Sequence, residues 1–535
     1  MAGGNFAFNA VPNNTAASWW NDPGLRKLVF FMAICTISAV SPFDRLRTST
    51  LTFCQVGSGV DGSLINGLQI IDSFMDNLGD ISDNYLGLVI ASFSLGALPA
   101  LPISAYCMDR FGRRSSLLLG CISVIVGGIA QSFTHGANAF LGTRFVIGFG
   151  IALTGTSAPT LLMELAHPRM RGQASLLYNC SWYIGAVIIG WITYGTLVGM
   201  TGNWSWRLPC LLQITPEILL AVITVTLMPE SPRWLISKGR NEEALNTLAK
   251  YHANGDKEDA LVKLEYDEIV EALELEKTSQ HGTSYLTLLK TPGNRHRLII
   301  CILVGFMCQW SGNGIVTYYL SPILTTAGVT SSATQALINV CMNIWNYPWA
   351  IAGALSANKL GRRPLFFIST GGMLICYIII TALAAEFTKT GKPAVGYAQV
   401  AFLFFFFASY DFGFTGLQSA YPIEVLPYSL RAKGYSITQF CIYLAMFFNQ
   451  FVNPIGLSNI SWKYYIVYDC ILVLFLFLQW LLFPETKGRT LEEIREIFDK
   501  EPLSSTEGMG ANGSEALDDG GKAEEAYVEN VGSRV

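Results

Sequence analysis

Apolar residues along this chain gather into twelve runs of membrane-spanning length. Six fall near 28–71 (interrupted), 84–106, 115–134, 138–162, 173–199 and 206–228, and six near 298–325, 332–357, 364–385, 395–423, 432–455 and 463–483. A helix of about 20 apolar residues crosses the hydrocarbon core of a bilayer. The pattern therefore predicts an all-α membrane protein of twelve transmembrane helices in two six-helix halves. No Asp, Glu, Lys or Arg occurs over 172–206 or 298–358, room for one crossing and for two. Between the halves, Glu230–Arg297 carries 22 of the 74 charged residues and no long apolar run, so it lies outside lipid. Its stretch from Asn241 to Lys277 spaces apolar residues at helical intervals, which predicts short amphipathic helices. The divisions are a tail at 1–25, a first half at 26–229, a helical segment at 230–297, a second half at 298–484 and a tail at 485–535. The last part is rich in Gly, Ser and acid, and is expected to be disordered.

Basic residues in short loops orient such a chain. Arg110, Arg113, Arg114, Arg169, Arg171, Lys359, Arg362, Arg363, Arg431, Lys433, Lys487 and Arg489 all fall on one side, which is then cytoplasmic. The loop after the first crossing carries Asp72, Asp76, Asp80 and Asp83 and no basic residue, so it is external. Both termini and the central segment are expected inside, in the plasma membrane. Composition agrees with lipid as the solvent: 51% of residues are hydrophobic, 14% charged, and the mean hydropathy is +0.38. The net charge of −4 identifies no partner and does not suggest nucleic acid. Met1–Asp22 is polar and lacks the apolar core of a cleavable signal. The 12 Cys are scattered through apolar runs as small fillers and suggest neither disulfides nor a metal site. No nucleophile–base pairing or cofactor motif stands out, so an enzyme is not expected.

Three cytoplasmic motifs occur twice in matching order. DRFGRR (Asp109–Arg114) returns as NKLGRR (Asn358–Arg363), Glu164…Arg171 as Glu424…Arg431, and PESPR (Pro229–Arg233) as PETKGR (Pro484–Arg489), at offsets of 249, 260 and 255 residues. Similar offsets argue for duplicated halves. A glycine allows the tight turn. Asp109, Arg113, Arg114, Arg362 and Arg363 with Glu164, Glu424, Arg171 and Arg431 are expected to form a charge-assisted latch. Such a latch would hold one conformation closed and open as the halves rock.

With RFVIGFG (Arg144–Gly150), PESPRWL and PETKGRTLEE, these motifs resemble the sugar porter family of the major facilitator superfamily over about residues 25–495. GVDGSLINGLQ, YNCSWYIG and QWSGNGIVTYYL look like its fungal branch of lactose and cellodextrin permeases. The resemblance implies the major facilitator fold, with pseudo-symmetric halves, an intracellular helical segment, and carbohydrate carried by alternating access in a functional monomer.

A sugar site needs amides, which donate and accept at once, and aromatic walls. Gln309 and Asn313, four residues apart, are expected to face one cavity with Trp310, Tyr318 and Tyr319, and Gly312 and Gly314 to soften that helix. Asn343 and Asn346 lie in the next crossing. The resemblance matches Asn346 to the family's sugar-binding Asn, Gln309 to a hexose-carrier Gln, and Asn179 to a position commonly Gln. Trp182, Tyr421, Gln418 and Asn449 are secondary candidates. Asp61 lies inside a crossing, where an ionisable residue is a functional candidate by default. In proton-coupled relatives an Asp there pairs with the Arg matched by Arg144. Val60 departs from the Tyr that usually precedes this Asp in the family, and departures at Cys308 and Gly314 weigh against simple hexose specificity. The expected cargo is a disaccharide of the lactose or cellobiose type, carried with protons. A monosaccharide or polyol carrier and a non-transporting sugar sensor are the alternatives.

VSPFDRLRTSTLTFCQ (Val40–Gln55) sits badly in this scheme. Asp44, Arg45 and Arg47 near mid-span would each cost about 2.5–3.5 kcal/mol. Removing the stretch joins Leu28–Ala39 to Val56–Ile71 as one crossing, and its ends back-translate to splice-site consensus. Residues 40–55 are therefore expected to be a non-native insertion, a retained intron, that interrupts the first helix.

Overall fold

The computed structural model describes residues 46–166, 178–253, 255–279, 285–427, 430–487 and 497–498. Every regular element among them is helical. The first half comprises α1 (Leu46–Leu68), α2 (Asp72–Leu78), α3 (Asp83–Phe111), α4 (Arg113–Ser132), α5 (Ala137–Leu165), α6 (Trp182–Gly199), α7 (Trp204–Leu212) and α8 (Thr215–Thr226). The central segment holds α9 (Pro232–Ser237), α10 (Asn241–His252), α11 (Ala260–Ser279) and α12 (Thr287–Lys290). The second half comprises α13 (Pro292–Trp310), α14 (Asn313–Tyr318), α15 (Leu320–Thr326), α16 (Ser332–Leu360), α17 (Arg362–Thr390), α18 (Pro393–Val425), α19 (Arg431–Ile460) and α20 (Tyr464–Leu482).

Eight helical stretches among the described residues are long and apolar enough to cross a membrane, and the last, Lys433–Leu482, joins α19 and α20. The crossings outside that set are α1, the broken α13–α15 run and α16. These carry the polar residues Asp61, Gln309, Asn313, Asn339, Asn343 and Asn346, which are buried or half-buried in the bundle. Two predicted spans are broken. Near Pro209 and Pro216 the sixth divides into α7 and α8, and the seventh divides at Gly312, whose left-handed φ of 92° ends α13.

The halves repeat. In the first, α3 and α4 pack on α5 and α1 on α6; in the second, α16 and α17 pack on α18 and α13 on α19. The halves meet along α3 with α19 and α6 with α16. Aromatic edges fill the second half's core, where Phe366 contacts Phe414, Tyr421 and Phe483. The amphipathic helices of the central segment form as the pattern predicts. His252 of α10 bonds Glu265 of α11 and lies 3.2 Å from the Leu165 carbonyl, which docks the segment on the end of α5. In the C-terminal stretch, Phe498 is buried with Arg297 over its ring at 4.7 Å.

The first helix differs from expectation. Residues 1–45 lie outside the described residues, and with them Asp44, Arg45 and the apolar run from Leu28. From Leu46 the helix runs unbroken to Leu68, so residues 46–55 do not interrupt it. Cys54, inside the supposed insertion, is fully buried against Leu117, Leu161 and Leu220. The physical reason is length: 23 residues rise about 35 Å at ~1.5 Å each, enough for a core of about 30 Å.

Two glycines make the repeat possible. Helix α3 ends and α4 begins at Gly112 (φ 95°), and α16 and α17 meet likewise at Gly361 (φ 100°). A Cβ at Gly112 would collide with the Glu230 carboxylate, and one at Gly361 with that of Glu485. Gly136 has φ 81° but open space around it. A side chain in the left-handed region alone costs about 1–2 kcal/mol. Gly112→Ala is therefore expected to lower the melting temperature of purified protein clearly more than Gly136→Ala. Equal shifts would show that the Glu230 contact contributes nothing.

Candidate functional site

Deep in the first half, Arg144 of α5 donates to Asp61 of α1 at 2.9 Å, with both side chains 2–3% exposed. Its guanidinium also lies over the Phe93 ring of α3, 5.0 Å from the centroid. Close helix packing permits this: a Cβ at Gly148 would strike the Phe93 carbonyl, so α5 and α3 touch backbone to backbone. Asp61 Oδ2 and Arg144 Nε have no hydrogen-bond partner among the described residues. The pair is a buried ion pair with one oxygen and one nitrogen unfilled by protein groups among the described residues.

Two further buried carboxylates were missed in the sequence. Glu217 of α8 is fully buried beside Gly57 and the Cys121 thiol. Asp411 of α18 is 1% exposed and accepts from Tyr183 of α6 and Thr415. Each is a lone acid inside an apolar run, ITPEILL and FASYDFGFTG, the same signal that marked Asp61.

The expected sugar amides divide into two groups. Gln309 is buried at the end of α13 and its side-chain amide makes no hydrogen bond among the described residues. Asn346 of α16 is 2% exposed and its Oδ1 has no partner among them. The others are engaged. Asn313 donates to the Cys308 carbonyl at 3.3 Å and accepts from Thr317 at 2.6 Å, bonds that close the helix break. Gln309 and Asn313 thus do not share one helix face, because Gly312 separates their helices. Asn449 bonds the Gln309 carbonyl that the break frees. Trp310 turns towards α19, donating to the Ala445 carbonyl at 3.2 Å and packing on Phe448. Tyr421 donates to the Pro484 carbonyl at 2.8 Å, near the arginine motifs and away from the amides. Trp182 lies against Gly62 and meets Tyr183 edge to face. Gln418 is half-buried on α18.

Neutral bonds join the halves at two levels. Near the break in the seventh span, Gln69 donates to the Tyr318 carbonyl at 2.9 Å, Asn66 to Asn339 at 3.4 Å and Ser94 to Gln450 at 2.5 Å, and within the second half Tyr319 donates to the Gln450 carbonyl. Nearer the arginine motifs, Asn179 donates to Ser419 at 2.7 Å and Tyr183 to Asp411.

The arginine motifs build two matching clusters. Arg113 grips Glu164 through two bonds of 3.1 and 3.2 Å, and Arg362 grips Glu424 through bonds of 3.0 and 2.8 Å. Arg114 donates to the Val225 carbonyl and Arg363 to that of Trp480. The third motif, left without a role by the sequence, supplies helix caps. Glu230 accepts from the backbone N–H of Arg113 and Arg114, and Glu485 from those of Arg362 and Arg363, at 3.0–3.3 Å. A carboxylate suits a helix N-terminus, where unpaired N–H groups and the dipole are positive. Asp109 is exposed, 4.0 Å from Arg113. Arg431 opens α19, and Arg171 lies outside the described residues. The Arg–Glu pairs expected from the sequence are present, Arg113 of α4 with Glu164 of α5 and Arg362 of α17 with Glu424 of α18, and each clamps two helices of one half in this conformation.

With this geometry in hand, the known proteins can be compared. The family model described as Sugar (and other) transporter matches residues 47–498. Among curated relatives, an MFS-type transporter of Aspergillus oryzae is 29% identical, the match covering 83% of each chain. A high-affinity glucose transporter of Kluyveromyces lactis is 27% identical over 82% of each. An arabinose-proton symporter of Bacillus subtilis is 26% identical over 83% of this chain and 92% of its own. Among solved structures, the proton:xylose symporter XylE bound to 6-bromo-6-deoxy-D-glucose is 22% identical, covers 88% of this chain and 100% of that one, and superposes with a TM-score of 0.71. The inward-open xylose transporter XylE from E. coli gives 0.69 at 23% identity, covering 84% and 99%. The fold is that of the major facilitator superfamily.

The clamp is testable by a double-mutant cycle on Arg113→Ala and Glu164→Ala. A half-buried bidentate charge pair predicts a coupling of about 1.5–3 kcal/mol in unfolding free energy measured in detergent. A coupling near zero would contradict the clamp.

Proposed function

The chain belongs to the sugar (and other) transporter family, and from that premise we propose that it carries a monosaccharide together with protons, by alternating access, across the plasma membrane. Both termini and the arginine clusters face the cytoplasm. Two of the three relatives above are named for glucose and arabinose, and the matched structures for xylose. A monosaccharide therefore replaces the disaccharide expected from the sequence.

The observation that carries proton coupling is the buried Asp61–Arg144 pair. Protonating Asp61 leaves the Arg144 charge buried with only the Phe93 face against it. Removing one member of a buried pair costs about 3–5 kcal/mol, and a cation over a ring returns up to about 2. The remainder, about 1–3 kcal/mol, moves a two-state equilibrium by about 5- to 150-fold, at about 1.4 kcal/mol per tenfold. One proton is thus enough to bias which side of the carrier is open.

Sugar is held between the halves. Gln309 and Asn346 provide the free amide capacity, Asn179 lies at the seam towards the cytoplasm, and Trp182 and Tyr318 provide wall. Asn313 and Trp310 act by shaping the break beside Gln309. As sugar enters, its hydroxyls replace the neutral cross-half bonds, exchanging weak contacts for weak contacts, so the halves rock without a large barrier.

Two experiments in a transport-null yeast test this reading. Asp61→Asn is expected to abolish accumulation against a gradient while sparing sugar exchange; normal uphill uptake in the mutant would remove the coupling role. Gln309→Ala and Asn346→Ala are each expected to weaken sugar binding by about 1–3 kcal/mol, roughly 5- to 150-fold in half-saturation. Unchanged half-saturation in both, at normal surface expression, would refute the assignment. Competition by glucose, xylose and arabinose but not by lactose or cellobiose is expected in the same assay.

A further inference from the structure

The helices where the halves meet are almost free of charge. Residues 178–206, 298–358, 364–385 and 434–462 contain no Asp, Glu, Lys or Arg, and between Pro393 and Ile423 the lone charge on α18 is Asp411. Its Oδ1 accepts from the Tyr183 hydroxyl of α6 and from Thr415 at 2.8 Å. Its Oδ2 is buried and has no hydrogen-bond partner among the described residues. The titratable groups around it are Tyr183 and Cys180 from α6 and Tyr410 on its own helix, which donates to the Cys308 carbonyl of α13. None is a cation, and α13, α16, α17 and α19 bring no basic side chain to this depth. Asp61, by contrast, has Arg144. An ionised Asp411 would be a buried charge with nothing opposite it, a cost that two hydroxyls do not repay.

We propose that Asp411 is a second proton-binding site, in the second half, which keeps its proton while α6 lies against α18 and releases it when the halves part at the arginine end. This rests on the proton-coupled reading above. Tyr183 belongs to the first half and Asp411 to the second. Asn179 and Ser419 close the same seam, each pair member lying a turn or two along its helix from the next. Parting the seam removes Tyr183 and admits water. The carboxyl O–H then breaks, the proton passes to water on that side, and the oxygen keeps the electron pair as a hydrated carboxylate. Reloading occurs from the opposite side, through the space between the halves. Coupling by Asp61 senses the first half alone, whereas Asp411 titrates with the contact between halves.

The test uses full-length protein in liposomes under an imposed pH gradient and potential, with labelled D-glucose or D-xylose as the probe. Asp411→Asn retains an acceptor for Tyr183 and Thr415 and imitates the neutral acid. It is expected to carry sugar still, but with the accumulation ratio falling towards the square root of the wild-type ratio, as two coupled protons become one. Tyr183→Phe removes a donor that favours the carboxylate, so the alkaline limb of the uptake profile is expected to move to higher pH. An unchanged accumulation ratio in Asp411→Asn overturns the proposal, whether half-saturation rises, as for a sugar ligand, or stays, as for a packing role. If that variant fails to reach the membrane, an unmoved alkaline limb in Tyr183→Phe overturns it. Wild-type protein moving one proton per sugar refutes this site alone; wild-type protein moving none refutes proton coupling itself.

Discussion

A charge inside a membrane protein must be answered by another charge, and the Asp61–Arg144 contact is where this chain meets that demand. Its placement depends on much of the first half. Helix α5 reaches α1 only because glycine lets it lie against α3, and Phe93 supplies the face on which Arg144 rests. The pair is also left incomplete, with a free oxygen and a free nitrogen. A fully saturated pair would be a structural rivet; this one has spare capacity and can exchange its partner for a proton.

Interaction strength is distributed in the way a rocking carrier requires. The strongest bonds, charge-assisted and bidentate, are confined within each half: Arg113 with Glu164, Arg362 with Glu424, and the Glu230 and Glu485 caps. Hydrogen bonds to charged groups are worth about 1.5–3 kcal/mol each, against about 0.5–1.5 for neutral ones. Apart from Tyr183 with Asp411, the named bonds between the halves are of the neutral kind, amide to amide, amide to carbonyl or hydroxyl to amide. The halves therefore keep their shape while the contact between them changes.

The architecture was legible in the sequence because its causes are local. Apolar run length gives crossings, and repeated motifs give the duplication. What was not legible depends on context. The Glu164 and Glu424 partners of the GRR pattern could be named from sequence, whereas the capping of the helices that it opens by Glu230 and Glu485 depends on residues about 120 positions away. Gln309 and Asn313 look like helical neighbours at four-residue spacing, and only the left-handed turn at Gly312 separates them. The start of the first crossing at Leu28–Val40 lies outside the described residues, which show one helix from Leu46 that carries Asp61. Glu217 and Asp411 were overlooked although the argument used for Asp61 applied to them unchanged.

The most direct test of the account is whether sugar alone moves protons through the wild-type protein. In sealed liposomes holding a pH-sensitive dye, with no imposed pH gradient or potential, an inward monosaccharide gradient should acidify the interior in proportion to the sugar taken up, and a protonophore should abolish the signal. Sugar entry at full rate with no change in internal pH would contradict it.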